Sequence, residues 1–202
     1  MKAYTLEIDE LAALVGFLNA KKLVGLDEKL FLAFSEENLP HLVAKLHAHG
    51  WLHPAERPGT WHMNEDLMQT LATAVSPHFA VLARSKAHGK SAVFYEADHE
   101  VTQIVVTDDR AVVASLDGID ALASEVTDFL RDARPGEVGV ARVNARGDGM
   151  EAGRHAVVDE SGLLRTKTPG LLPASENAWT AENVAAFVRG AMADLGVAVA
   201  KG

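Results

Sequence analysis

The chain has 202 residues, 48% hydrophobic and 23% charged, which is enough apolar material for one large core or two small ones and too much for wholesale disorder. A formal charge of -9 excludes the broadly basic surface that holds nucleic-acid phosphates or anionic lipid. The absence of cysteine excludes disulfides, thiolate metal sites and cysteine nucleophiles.

Residues 1–77 read as a helical subdomain. Glu7, Asp9 and Glu10 interrupt what would be the apolar core of a signal peptide. No apolar run approaches the roughly 18 residues of a membrane span, so the cytoplasm is the expected compartment. Asp9 is placed to cap a helix whose Leu11, Leu14, Val15 and Leu18 recur at helical spacing. A short apolar piece follows at residues 26–34. Ser35, Glu36 and Glu37 open a second helix with a stripe of Leu39, Leu42, Val43 and Leu46, ended by Gly50. Residues 51–61, with Pro54, Pro58 and Gly59, connect to a third helix. Asn64 caps it, Leu67, Met68, Leu71 and Val75 form its apolar face, and Pro77 marks its end.

After Pro77 the period changes from 3.6 to 2. Residues 79–84, 91–97, 101–107 and 111–116 are short runs rich in Val, Ile and aromatics. They are separated by the turn pairs His88-Gly89, Asp98-His99 and Asp108-Asp109, and loops this short make the strands antiparallel neighbours. Asp117 then caps a helix with Leu122, Val126, Phe129 and Leu130 on one face, closing a unit at residues 78–132. Pro135 and Gly136 lie in the linker that follows. A second unit at residues 137–202 repeats the order: strands at 138–145, 154–159 and 163–168, then a helix capped by Thr180 with Val184, Phe187, Val188, Ala191 and Leu195 in its stripe. The expected fold is α+β. A helical, winged-helix-like N-terminal segment precedes two quasi-repeated antiparallel strand units, each ending in a helix and sharing one sheet.

Catalytic signatures are absent from the sequence. There is no G-x-S-x-G elbow, H-E-x-x-H helix or G-x-x-x-x-G-K-[ST] phosphate loop. Gly147, Gly149 and Gly153 follow a strand but lead into another strand, so they read as a hairpin turn and not as a dinucleotide site. Arg146-Gly147-Asp148 is an integrin-type tripeptide too short to count as a motif. Five of the nine histidines fall at 41, 47, 49, 53 and 62. His47 and His49 project about 200° apart on a helix and suit its C-terminal dipole, so no metal and no cofactor is expected. An enzyme would need His78, His88, His99 or His155 gathered with a carboxylate in a pocket. A winged-helix regulator would read DNA with residues 38–49. Residues 1–77, however, hold six Lys/Arg (2, 21, 22, 29, 45, 57) against ten Asp/Glu (7, 9, 10, 27, 28, 36, 37, 56, 65, 66), which opposes a nucleic-acid partner. The aromatic residues Trp61, Tyr95 and Trp179 are the candidate protein-interface anchors.

Several stretches together resemble a known family. They are His49-Gly50-Trp51-Leu52 at a helix end, Met-Asn-Glu-Asp-Leu-Met-Gln-Thr-Leu at 63–71, Val-Ser-Pro-His-Phe-Ala-Val-Leu-Ala at 75–83 and Ala-Val-Val-Ala-Ser-Leu at 111–116. This pattern resembles the N-terminal half of the EspG family, cytoplasmic chaperones of type VII (ESX) secretion, over residues 5–132. An echo continues through Ala-Gly-Arg-His-Ala-Val-Val-Asp at 152–159. The resemblance implies two quasi-repeated halves joined in one sheet, no enzymatic activity, and a helical or extended protein client. This chain departs from the family in lacking a helical bundle between its two sheet units.

Overall fold

The computed structural model describes residues 2–32, 38–87, 90–132, 134–168, 170–172 and 177–197. In chain order the elements are β1 (Ala3–Glu7), α1 (Ile8–Phe17), a 3-10 turn (Glu28–Phe31), α2 (Leu39–Ala48), β2 (Leu52–Pro54), β3 (Trp61–Met63) and α3 (Glu65–Val75). Then follow β4 (Phe79–Ser85), β5 (Ser91–Ala97), β6 (Glu100–Val106), β7 (Arg110–Leu116) and α4 (Gly118–Arg131). The last are β8 (Gly136–Val143), β9 (Met150–Val158), β10 (Leu163–Thr166), β11 (Asn177–Ala178) and α5 (Ala181–Val197).

The expected fold, a helical N-terminal segment followed by two strand units, is corrected. The dominant object is one nine-stranded sheet in the order β1-β7-β6-β5-β4-β8-β9-β10-β11, antiparallel at every step, with helices on both sides. The first residues are not helical. β1 lies along β7, with Tyr4 opposite Val113 and Leu6 opposite Ala111. The winged-helix likeness fails for the same reason, because this end of the chain is committed to the sheet and a small β2–β3 hairpin stands between α2 and α3. Five residues of weak alternation next to three acids carry little strand signal, and pairing with a preformed β7 edge decides their conformation.

The strand periodicity explains why the sheet must be covered on both faces. Along β5, Val93 and Tyr95 point to one face while Ala92 and Phe94 point to the other, and all four are fully buried. The first face carries the cross-strand row Leu82–Val93–Ile104–Val113–Tyr4 and packs against α1, α2 and α3. The second face carries Val140–Val81–Phe94 and packs against α4 and α5. Two hydroxyls fasten the first layer to the sheet. Tyr95 donates to the Val24 carbonyl at 2.8 Å, and Thr102 donates to the Thr70 carbonyl at 2.8 Å. Burial pushes the Tyr95 phenol far above its ordinary pKa, so it stays a donor at any physiological pH.

Helix ends follow local chemistry, with one displacement. Asn64 accepts from the Leu67 N–H at 3.1 Å and starts α3, while Gly50 takes the left-handed φ of 75° that ends α2. Asp9 does not cap α1. That helix begins at Ile8, and the Glu10 carboxylate reaches back to the Glu7 N–H at 2.8 Å. The opening expected at Ser35, Glu36 and Glu37 lies outside the described residues, as does the His88-Gly89 turn. The start of α1 is bound to the end of α2 by charge. Lys45 donates to Glu7 and Asp9 at 2.8 Å each, and His49 Nδ1 sits 2.5 Å from Glu10, whose carboxylate is buried.

Two predictions follow from this packing. Phe94→Ala should destabilise the chain by about 3–5 kcal/mol. Tyr95→Phe, which removes only the hydroxyl and leaves the Val24 carbonyl unpaired, should cost about 1 kcal/mol. Urea melts will separate the two, and hydrogen exchange in Tyr95→Phe should speed up selectively around Val24. Lys45 provides the pH dependence. Burial by itself would lower its pKa, but the Asp9 and Glu7 hydrogen bonds outweigh it and raise the value above 10.5. A raised lysine pKa stabilises the fold below that pH and loses its contribution as pH rises through the folded value. The melting temperature of wild type should therefore fall more steeply above pH 10.5 than that of Lys45→Met.

Candidate docking face

The helices cover the two faces of the sheet unequally. On the second face, Val138, Val140, Ala156 and Val158 are buried against the α5 side. On the first face, the α1–α3 layer covers the strands from β1 to β4, and Val143 at the end of β8 still joins its core. The register then aligns three rows across β4, β8 and β9, Ala80–Ala141–Gly153, Leu82–Gly139–His155 and Arg84–Glu137–Val157, which run from buried Ala80 and Ala141 out to the surface on β9. Arg165 on β10 extends the last row. Gly153, His155, Val157 and Arg165 are exposed and Gly139 is half-buried.

The floor of this face is made of backbone and small side chains. A Cβ placed on Gly139 would meet nothing nearer than the Arg154 carbonyl at 4.0 Å, and one on Gly153 would make ordinary contact with the Val140 carbonyl at 3.4 Å. Neither has positive φ, so neither turn geometry nor packing within the described residues requires glycine there. A strand glycine in that situation leaves room for another chain to approach closely. Gly136 is the contrast, since its Cβ would stand 3.0 Å from both the Arg84 carbonyl and Leu130.

Charge lines one end of this floor. Arg84 and Lys86 share Glu137 at 3.8 and 3.7 Å, and Arg165 stands 3.4 Å from Asp159. The Ser161 hydroxyl, then the Leu163 N–H and the Arg165 charge, hold the Asp159 carboxyl below its ordinary pKa. That carboxylate is therefore occupied in closing the β9–β10 turn. Of the two exposed apolar side chains of β9, Val157 lies beside these groups, while Met150 is at the other end of the strand, near Gly25.

The three aromatic anchors read from the sequence are not brought together. Trp61, 36% exposed, borders an apolar groove of about 790 Å³ with Phe17, Leu18, Met63 and Met68. Its ring lies 5.4 Å from His47. Tyr95 is wholly enclosed beneath the α1–α3 layer and has no surface to offer. Trp179 is partly buried on the opposite face, its indole donating to the Thr127 carbonyl at 3.1 Å. The clustered histidines have local partners: His47 binds the Leu52 carbonyl, His49 binds Glu10, and His53 faces His62 across the hairpin. Among the described residues no three His, Asp or Glu side chains converge as a metal would require. His99 and Glu100 line a polar groove of about 830 Å³ between α3 and α4, whose mouth carries the Lys2–Asp66 ion pair at 2.5 Å. His88 is outside the described residues, and His155 belongs to the open sheet face.

The open face carries a quieter sequence signal than the large aromatics. Its signal is the loss of apolar residues at every second position of β8 and β9, where Gly139, Ala141, Gly153 and His155 alternate with buried residues of the other face.

The architecture recurs in a solved structure. The Mycobacterium tuberculosis type VII secretion system chaperone EspG5, seen in complex with the PE25-PPE41 dimer, superposes with a TM-score of 0.60 over 95% of this chain and 96% of that one, at 11% sequence identity. At that identity the likeness establishes a shared fold. No protein-family model matches the chain, and no curated protein does. No helix among the described residues is long and apolar enough to cross a membrane.

The glycine geometry is directly testable. Gly139→Val and Gly153→Val should leave the stability of the isolated chain unchanged or raise it by about 0.5–1 kcal/mol, because a β-branched residue replaces a strand glycine without a clash. Gly136→Val should lower it by on the order of 1–3 kcal/mol through overpacking. Chemical denaturation of the three variants will establish the order.

Proposed function

We propose that this chain is a non-enzymatic, cytoplasmic protein-binding module acting as a secretion chaperone of the type VII kind, and that it receives a helical client on the open half of its sheet. One observation supports this reading above the others. A fold shared with a secretion chaperone seen in complex with the PE25-PPE41 dimer presents here a sheet face in which helices cover β4–β7 and leave most of β8–β10 open. The covered half illustrates what such a surface accepts, a layer of helices seated on alternate strand residues. Trp61, with Phe17 and Met68, offers a further apolar contact on the same side of the sheet.

The regulator reading gains nothing from the geometry. The single lysine of α2, Lys45, is bound to Glu7 and Asp9 and cannot answer a phosphate without breaking both ion pairs.

The test is co-expression with a helical secreted dimer from a host with a type VII system, followed by size-exclusion chromatography with light scattering. A stable complex is expected. Gly139→Trp should abolish it while leaving the melting temperature of the free chain within a few degrees of wild type, because the added ring fills only the open space above β8. Association that survives Gly139→Trp at full strength would place the client elsewhere, and failure of every such dimer to associate would end the chaperone reading.

A further inference from the structure

The open face holds a charge arrangement opposite in sign to that of the chain as a whole. The chain carries -9, yet Arg84, Lys86 and Arg165 stand on or beside this face against Glu137 and Asp159. Asp159 is already engaged by the Ser161 hydroxyl and the Leu163 N–H. Glu137 is shared between two cations at 3.8 and 3.7 Å, beyond hydrogen-bond length. Arg84 and Arg165 therefore keep guanidinium donors free of any short bond to these two carboxylates. Their side chains are 54% and 67% exposed, so both can take a bidentate carboxylate.

The register fixes their spacing. Arg84, Glu137, Val157 and Arg165 form one row across four strands, which places the two arginine positions about 14 Å apart at the usual strand separation. That span corresponds to roughly nine residues of α-helix. Between the arginines lie Glu137, which Arg84 and Lys86 share, and an exposed Val157, with Gly139 and His155 in the next row, so close apolar approach is open at Val157 and over Gly139.

We infer that the open face selects an acidic amphipathic helix, with carboxylates two to three turns apart meeting Arg84 and Arg165 and small apolar residues lying on the Gly139 and Gly153 floor. This rests on the docking reading above and specifies the chemistry of its partner. Electrostatic selection of this kind acts on association rate and on choice of partner more than on total affinity.

Two sequence-matched helical peptides are the probes, sharing an Ala/Leu face and differing only in Glu or Lys at the flanking positions. Titrated by fluorescence anisotropy against the full chain, the Glu peptide should bind at least about tenfold more tightly than the Lys peptide, and its advantage should shrink as salt rises. Arg84→Gln with Arg165→Gln should remove most of that advantage, with a thermal melt confirming that the double variant is folded. Equal binding of the two peptides, tighter binding of the Lys peptide, or an advantage untouched by the double variant would overturn the inference. The two readings fail separately. A secreted dimer that associates through the Gly139 surface but ignores the arginine substitutions would leave the chaperone reading standing and remove the acidic specification. A Glu peptide that binds as expected while no secreted dimer associates would do the reverse.

Discussion

Strand β5 is the element on which the rest of the structure depends, because it is buried on both faces at once. Val93 and Tyr95 on one side and Ala92 and Phe94 on the other are fully enclosed, so the sheet at its centre cannot fold without a helical layer on each side. Each large side chain buried there contributes about 1.5–3 kcal/mol relative to exposure. A sheet with one wet face would lose half of that gain. The two helical layers are thus required by the same few residues, and the Tyr95 hydroxyl bond to Val24 fixes where the first layer lies.

That requirement weakens with distance from β5. β4 and β6 still place apolar residues on both sides, whereas β8 and β9 bury most of theirs where α5 lies and carry only Val143, at the edge of the first core, and the exposed Val157 as large apolar residues opposite. The rest of that side carries glycine, alanine, histidine and charge. The chain can therefore end its first helical layer above β4 without exposing a large apolar patch, and the open face stays compatible with water in the free protein. Such a surface costs little when empty and offers backbone at close range when a partner arrives. The approximate repeat of strands followed by a helix sharpens the contrast. α4 and α5 pack together on one side, while among the described residues the layer formed by α1–α3 has no equivalent over the second set of strands.

Much of the local structure was legible in the residues. Period 2 in 79–84, 91–97 and 111–116 marks strands because Val, Ile and aromatics fit a pleated surface on alternate sides. Asn64 and Gly50 mark helix ends because each satisfies backbone groups that a helix leaves unpaired. β1 and the β2–β3 hairpin were not legible. Ala3–Glu7 has one fully buried side chain, Leu6, and its strand conformation comes from hydrogen bonds to β7, more than 100 positions away in the chain. The interface anchors show the same limit. Trp61, Tyr95 and Trp179 look alike as residue types, but their exposure depends on which side of the sheet each reaches and on what already covers it.

By itself, then, the sequence determined the alternation of the central strands, the Asn64 and Thr180 caps, the acidic charge and the absence of any catalytic motif, because these depend on neighbours within a few residues. The tertiary structure alone decided that the N-terminus closes one end of a nine-stranded sheet and that Tyr95 is a buried fastener. It also decided that Gly139, Gly153, Arg84 and Arg165 meet on one uncovered face. Those four residues come from separate strands, and only the register of the folded sheet brings them together.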